Sequence, residues 1–261
     1  MRPIPVLMYH HVTPHRGDTV TVRPEVFAGQ MQYLHDAGYR TLSLAELLGH
    51  VSGTKPVREK AVVVTFDDGW LDNYRFAYPV LQQYGIKATI FVVTGRSNAA
   101  SLTGSQMPDI FPRHGEAKRL IEAGAAGSVV LDWPLIRRMD QEGLVEFYSH
   151  TVSHRKCAEL DEDSLRSELL DSKSVMEREL AKPCPYLCWP YGSCNDAAVA
   201  LAEDAGYRAI FTTRHGVVRV GDDPLRLKRI VVKDDIDWFK WRMRIYTNSL
   251  LAGIYLGVKS K

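Results

Sequence analysis

The sequence predicts an α/β fold in which one mostly parallel sheet is covered by helices and closed into a barrel. Short, nearly continuous apolar segments alternate with helical patterns along the chain, as is typical of parallel strands buried on both faces. Seven or eight such segments favour a (β/α) barrel over an open sheet. The 261 residues contain no visible linker or internal repeat, so we expect a single domain.

In the first third of the chain, runs of apolar and β-branched residues predict strands, and apolar residues at helical spacing predict helices. The predicted strands cover residues 4–9, 39–42, 61–66 and 87–93. The predicted helices cover residues 24–38, 44–50 and 72–85. Ser43 is placed to cap the second helix and Gly85 to end the third, which supports these boundaries.

The alternation continues in the second half of the chain. Further strands are predicted at residues 144–149, 186–189, 207–213 and 227–232, with helices at 133–143, 161–181 and 195–206. Residues from about 95 to 130 are rich in Gly, Ala and Ser, which predicts a long insertion of a kind that is usually functional or mobile. We therefore assign residues 1–235 to the barrel with this insertion, and residues 236–261 to an amphipathic helical tail.

Charge and composition exclude several classes of function. The net charge of +2 and the lack of a basic run give no sign of a nucleic-acid partner. No apolar segment has the length of a membrane span. The N-terminal segment MRPIPVLMYHHV lacks a small-residue cleavage site, so we expect a cytoplasmic protein whose cysteines are free thiols. These cysteines are Cys157, Cys184, Cys188 and Cys194.

Polar side chains collect where the predicted strands end. They are His10 and His11 after VLMY, Asp67 and Asp68 after VVVTF, His150 after VEFYS, and Tyr191 just past YLCWP. In (β/α) barrels the chemistry lies at the C-terminal ends of the strands. The sequence therefore predicts a functional site built from these residues.

Asp67 and Asp68 raise a physical question, because adjacent carboxylates at the end of a buried strand repel each other and lose hydration. A divalent cation would neutralise one and leave the other ionised as a base. His154 follows His150 by four residues, and two histidines with one carboxylate form a common metal-ligand set. A simple turn at Asp68-Gly69 and a surface histidine pair are the alternatives; the joint placement of both motifs at strand ends favours a metal site.

Three motifs, TFDDGW, SHTVSH and PYG, occur in this order and resemble signature motifs of the polysaccharide deacetylases, carbohydrate esterase family 4. The opening LMYH resembles the subgroup that includes bacterial poly-N-acetylglucosamine deacetylases. The resemblance extends from VLMYHHV to about LKRIVV and implies a distorted (β/α) barrel. It also implies a reaction, the metal-dependent hydrolysis of the acetamido group of an N-acetylhexosamine with release of acetate.

The resemblance implies roles for individual residues. Asp68, His150 and His154 would bind the metal, and Asp67 would be the general base. Tyr191 would supply a backbone N–H to the oxyanion. We expect zinc as the metal, with cobalt, nickel and iron as alternatives.

The chain departs from the family pattern in two places. Many members have an arginine two residues before the proline of the third motif, where this chain has Cys188, and the change removes a charge that would orient the base. The late motif, a leucine-rich strand that ends in histidine, is not visible near the C-terminus. In the subgroup with the MYH opening, the N-terminal histidine fills the general-acid place, so His10 is expected as the acid, with His215 as the alternative.

Aromatic residues near the strand ends are candidates for stacking on sugar faces, although each is equally suited to fill the core. They are Trp70, Trp133, Trp189 and Tyr191, with Pro190 as a further substrate-binding candidate. We expect the sugar to belong to a glycan or to a lipid-linked or lipopolysaccharide intermediate. A metal-dependent hydrolase of a non-sugar amide or cyclic imide is the alternative function.

The predicted tail alternates aromatic and aliphatic residues with lysine and arginine. Such a segment can lie in a membrane interface, which would place the protein peripherally on the inner membrane face. The alternative is an ordinary helix that packs on the barrel.

Overall fold

Seven parallel strands close into a barrel in the computed structural model, which describes residues 1–259. The strands of the protein are β1 (Ile4–Tyr9), β2 (His11–Val12), β3 (Thr21–Val22), β4 (Arg40–Thr41), β5 (Ala61–Phe66), β6 (Ala88–Val92), β7 (Val145–Ser149), β8 (Tyr186–Cys188), β9 (Ala209–His215), β10 (Val217–Val218) and β11 (Leu227–Val231). Around the barrel the order is β1-β5-β6-β7-β8-β9-β11, and β11 pairs with β1 to close it. The predicted barrel of seven to eight mostly parallel strands is confirmed.

Helices cover the outside of this barrel. They are α1 (Pro24–Asp36), α2 (Leu44–Val51), α3 (Tyr78–Tyr84), α4 (Thr94–Thr103), α5 (His114–Glu122), α6 (Trp133–Gln141), α7 (Glu162–Leu180), α8 (Asp196–Asp204), α9 (Ile236–Tyr246) and α10 (Ser249–Lys259). Ser43 caps α2 as predicted, because its hydroxyl accepts a hydrogen bond from the Glu46 N–H at 3.2 Å. Gly85 ends α3 in the left-handed conformation, which glycine adopts without a steric penalty.

The register of β1 against its neighbour fixes where the site residues emerge. Tyr9 lies opposite Phe66 of β5, so the residues that follow them, His10 and Asp67, leave adjacent strands at the same level. Beneath them, Phe27 of α1 contacts the Tyr9 and Phe66 rings, with centroid separations of 5.3 and 5.8 Å. All three rings are buried, and the cluster supports the end of the barrel where the site forms.

The predicted insertion at about residues 95–130 is largely helical, with α4, α5 and a short turn at Ala126–Ser128. Its apolar residues pack around Trp70 in a small cluster of their own, separate from the barrel core. The backbone of Trp70 also forms an antiparallel bridge with Val130. The insertion is thus folded against the DDGW segment, at the end of the barrel where β5 terminates.

The predicted tail consists of two helices. The first, α9, packs on the barrel through buried side chains that include Phe239, Met243 and Tyr246, so the barrel fold extends past the boundary predicted at residue 235. The second, α10, leaves Leu250 and Ile254 exposed. Within residues 1–259, no helix has the length and apolar character to cross a membrane.

We expect Phe27→Ala to destabilise the protein by about 3–5 kcal/mol, because it removes the ring that joins α1 to β1 and β5 and leaves a cavity. The free energy of unfolding from urea denaturation measures this effect. Leu102→Ala is the control: its side chain is 88% exposed, so its effect should stay within about 0.5 kcal/mol. Equal losses in the two variants would contradict the role given to the aromatic cluster.

Candidate active site

The ends of four parallel strands bring the predicted site residues together at one end of the barrel. His10 follows β1, Asp67 and Asp68 follow β5, His150 follows β7, and Tyr191 follows β8. The carboxylates and His150 are buried, whereas the Tyr191 side chain is 53% exposed. The arrangement is a buried polar centre with an accessible aromatic residue at its edge.

Asp67 forms a buried ion pair with Arg229 of β11. The guanidinium binds the carboxylate through two hydrogen bonds, Nη1 to Oδ1 and Nη2 to Oδ2, both 2.7 Å long. The same guanidinium donates to the Thr65 hydroxyl at 3.2 Å and to the Thr212 carbonyl at 3.0 Å. This bidentate geometry fixes the orientation of Asp67.

The ion pair also sets the charge of Asp67. Burial acts to raise the pKa of this carboxyl, but the charge and hydrogen bonds of Arg229 outweigh it and lower that pKa to about 2. Asp67 is therefore ionised at neutral pH even though its side chain is enclosed.

Arg229 was not identified from the sequence, and it corrects one expectation. Cys188 stands where many family members have an arginine, and this change was expected to remove the charge that orients the base. In the structure β11 supplies that charge instead, and Arg229 Nη2 lies 3.0 Å from Cys188 Sγ. The signal available in the sequence was an arginine inside the apolar segment LKRIVV, because a buried arginine needs an anionic partner.

Asp68 faces the histidines. Its Oδ1 lies 2.9 Å from His154 Nε2 and 3.9 Å from His150 Nε2, and Arg96 Nη1 approaches the same oxygen at 3.4 Å. Its Oδ2 accepts a 3.0 Å hydrogen bond from the Trp70 indole N–H. The two adjacent carboxylates thus have different partners: Asp67 is bound through both oxygens by Arg229, whereas Asp68 contacts the imidazoles, Arg96 and the Trp70 indole.

The donor set fits a metal ion. Ligand atoms of Asp68, His150 and His154 lie within 4.8 Å of one another. His150 Nδ1 donates to the Cys188 carbonyl at 2.7 Å, while its Nε2 is buried and has no hydrogen-bond partner among the described residues. A buried imidazole nitrogen without a partner, fixed by a hydrogen bond at the other nitrogen, is the usual state of a histidine that ligates a metal.

A second set, Asp67, His150 and Cys188, also brings its ligand atoms within 4.8 Å of one another. Both oxygens of Asp67 are already bound by Arg229, and burial raises the pKa of the Cys188 thiol well above its usual value. The set that contains Asp68 therefore fits a metal better.

The loop that carries the two histidines is held from α7. The buried Glu168 carboxylate accepts hydrogen bonds from the N–H groups of Val152 and Ser153, both at 2.9 Å, and from the Ser153 hydroxyl. Of the five non-glycine residues with positive φ in the described chain, four belong to the site segments: Asp68, Thr151, His154 and Tyr191. Such conformations cost free energy and cluster at functional sites.

His10 lies next to the predicted base. Its Nε2 is 3.8 Å from Asp67 Oδ2, and its side chain is 20% exposed. His215, the alternative for the general acid, lies at the exposed end of β9, where its Nε2 is 3.2 Å from the Tyr246 hydroxyl of α9. The geometry of the Asp67 contact favours His10.

Four substrate-binding expectations are wrong in this structure. Trp70 and Trp189 are fully buried, and Pro190 is buried as well, so none presents a face on which a sugar can stack. Trp133 is also buried and donates its indole N–H to Asn98. Each fills the core because the insertion and the barrel helices cover it.

Tyr191 is the exception among these aromatic residues. Its exposed ring lies 4.6 Å, centroid to centroid, from that of His154, beside the metal-ligand candidates. It is the candidate aromatic contact that remains for a sugar.

Comparisons with known proteins agree with this geometry. Residues 54–210 match the family model of the polysaccharide deacetylases. YxkH of Bacillus subtilis (strain 168), which is named as a polysaccharide deacetylase, is 32% identical over 88% of this chain and 71% of its own length. The poly-beta-1,6-N-acetyl-D-glucosamine N-deacetylase of Escherichia coli (strain K12) is 25% identical over 81% of this chain, which spans 34% of that enzyme.

A solved structure supports the same assignment. The Streptococcus pyogenes deacetylase PplD, determined in complex with acetate, superposes with a TM-score of 0.75 at 28% identity, over 89% of this chain and 93% of PplD. Since the family model covers more than half of the sequence and the similarity to YxkH extends over most of both chains, the chain belongs to the polysaccharide deacetylase family.

Proposed function

We propose that this chain is a metal-dependent N-deacetylase that hydrolyses the acetamido group of an N-acetylhexosamine in a glycan or a lipid-linked sugar. The main support for the proposal is that the two adjacent aspartates have different partners and therefore different chemical roles. Asp67 is kept ionised by Arg229, and Asp68 lies beside the unpartnered Nε2 of His150. A base and a metal-ligand set are thereby adjacent.

Each residue of the site has a separate role in the proposed reaction. A divalent metal held by Asp68, His150 and His154 would supply Lewis acidity, which polarises the acetyl carbonyl and acidifies the attacking water. Asp67 accepts a proton from that water while the water oxygen forms the new bond to the carbonyl carbon. The backbone N–H of Tyr191 donates to the developing oxyanion, a contact worth a few kcal/mol in such sites.

His10 completes the proton transfer. Its Nε2 lies 3.8 Å from Asp67 Oδ2, so a proton that Asp67 has taken has a short path to His10. His10 then donates to the nitrogen as the C–N bond breaks, because an unprotonated amine is a poor leaving group. The products are acetate and the free amino sugar.

The nature of the metal and of the substrate carrier is part of the proposal. Zinc suits a site of two imidazoles and one carboxylate, and cobalt, nickel and iron are alternatives with similar ligand preferences. The poly-N-acetylglucosamine deacetylases among the relatives support an N-acetylglucosamine-containing substrate. The proposal includes a cytoplasmic location, which is predicted from the sequence and is tested by cell fractionation.

We also propose that the C-terminal helices contact a membrane surface. Leu250, Leu251 and Ile254 on α10 and Trp241 on α9 are exposed apolar residues within one pair of packed helices. Arg242 packs against the rings of Trp241 and Tyr255, with its guanidinium carbon 4.6 and 4.2 Å from their centroids, and Arg244 on the same helix is exposed. Apolar side chains beside arginine suit an anionic lipid interface.

Acetate release from a panel of N-acetylhexosamine glycans tests the main proposal. Chelator-treated protein should lose activity and regain it with Zn²⁺ or Co²⁺. Asp67→Asn should lower the rate by at least about 100-fold, because an amide cannot accept the proton. Asp163→Asn on α7 is the matched control and should retain activity. Bound metal with no acetate from any sugar, but ammonia from small amides, would favour the alternative hydrolase; failure to bind metal would contradict the site as described.

A double-mutant cycle tests the ion pair. Arg229→Met should destabilise the metal-free protein by about 3–5 kcal/mol, because the Asp67 charge stays buried without its partner. Adding Asp67→Asn to this variant should recover part of the loss, since the uncompensated charge is removed. Urea denaturation of the wild type, both single variants and the double variant measures the coupling. Strictly additive losses would contradict the mutual dependence of the two side chains.

Flotation with liposomes tests the membrane proposal. Wild-type protein should float with vesicles that contain anionic lipid, and the triple variant Leu250→Ser, Leu251→Ser, Ile254→Ser should float several-fold less. Leu102→Ser, which replaces an exposed leucine on α4, controls for the effect of exchanging an exposed leucine for serine elsewhere on the surface. Wild-type protein that stays in the soluble fraction would count against the proposal.

A further inference from the structure

Three side chains outside the proposed catalytic set form a hydrogen-bonded chain that ends in the insertion. Asp72 Oδ2 lies 2.6 Å from His11 Nδ1, and His11 Nε2 lies 3.0 Å from His114 Nδ1. Asp72 and His11 are buried, whereas His114, the first residue of α5, is partly accessible. This series of hydrogen bonds therefore runs from two buried side chains out to an accessible imidazole.

The buried end of this chain fixes the proton positions. Asp72 Oδ1 accepts hydrogen bonds from the Val12 N–H and the Asn73 amide, at 2.8 and 2.9 Å, so the carboxylate acts only as an acceptor. When His11 is neutral, it holds its single proton on Nδ1, facing Asp72, and its Nε2 accepts from the Nδ1–H of His114. The lone pair of His114 is thereby placed on Nε2, which makes no hydrogen bond to any described residue.

The surroundings keep His114 in this neutral form. Burial lowers the pKa of His114 to about 4, and the nearby charge of Lys118 acts in the same direction. At neutral pH its Nε2 is consequently a hydrogen-bond acceptor, set in place by its neighbours.

Helix α5 sets this acceptor beside the proposed active site. The His114 ring lies 5.8 Å, centroid to centroid, from Trp70, whose indole N–H binds Asp68. One turn further along the same helix face, Lys118 Nζ lies 6.0 Å from the centroid of the exposed Tyr191 ring. The helix thus faces both sides of the site, at His114 and at Lys118.

We propose that His114 Nε2 accepts a hydrogen bond from a hydroxyl group of the substrate sugar, next to the acetamido group that is hydrolysed. His114 is then a substrate-binding residue contributed by the insertion, and His11 and Asp72 are positioning residues that act through it. The ligand class is a sugar with a free hydroxyl at that position. The inference rests on the proposed deacetylase function.

Substrate analogues give a direct test. Acetate release is measured for an N-acetylglucosamine oligomer and for its monodeoxy analogues, with the wild type and with His114→Ala. The variant should raise KM for the full substrate by about 10-fold, which corresponds to ~1.4 kcal/mol, with a smaller change in kcat. One deoxy analogue should show the same rise in KM with the wild type, and no further rise with His114→Ala.

Two further variants separate binding from folding. His114→Gln, which keeps an acceptor and a donor, should recover much of the affinity, and Glu116→Ala on the same helix should leave KM unchanged. If the rise in KM caused by His114→Ala adds to the rise caused by the missing hydroxyl for every deoxy analogue, the assignment of His114 is overturned. A wild type that is inactive on all glycans would instead overturn the proposed function. An active wild type together with an unchanged KM in His114→Ala would overturn only the role of His114 and would leave the proposed function intact.

Discussion

The buried ion pair between Asp67 and Arg229 is the interaction on which the site depends. Two neighbouring carboxylates at the end of an apolar strand would otherwise share one enclosed space, where like charges raise one pKa strongly. Arg229 occupies both oxygens of Asp67 and so keeps that group ionised without a metal. Asp68 is left to the histidines. The asymmetry between the two aspartates therefore originates in β11, the strand that closes the barrel.

Backbone conformation completes the separation of the two carboxylates. Asp68 has a φ of 75°, a left-handed conformation that turns the chain sharply as it leaves β5. His154 and Tyr191 also have positive φ values, of 60° and 59°. Each such conformation costs free energy that the surrounding structure has to offset. Glu168 offsets part of this cost because its carboxylate accepts hydrogen bonds from the loop before His154. The site is preorganised by strain in its loops and by hydrogen bonds from α7.

The sequence predicted the strand ends well because a parallel barrel converts chain order into spatial proximity. Asp67, Asp68 and His150 each follow an apolar segment directly, so no long-range information was needed to group them. Arg229 was missed because its partner is 162 positions away: the apolar segment LKRIVV indicates a buried arginine but does not identify the carboxylate that it binds. Trp70 was assigned to the substrate because its burial depends on how the insertion folds, which composition alone does not specify.

The position of α10 constrains how a membrane contact and the active site can act together. Ser249, at the start of α10, donates a hydrogen bond to the Met1 carbonyl, next to the N-terminal end of β1, whereas the site lies at the C-terminal ends of the strands. The six residues of β1 alone span roughly 20 Å. Later in α10, Tyr255 contacts Arg242 and Tyr246 of α9, so α10 packs back against the helix that covers the side of the barrel. A membrane against α10 would meet the barrel along its side, and a lipid-linked sugar would have to extend past the barrel rim to reach Asp67.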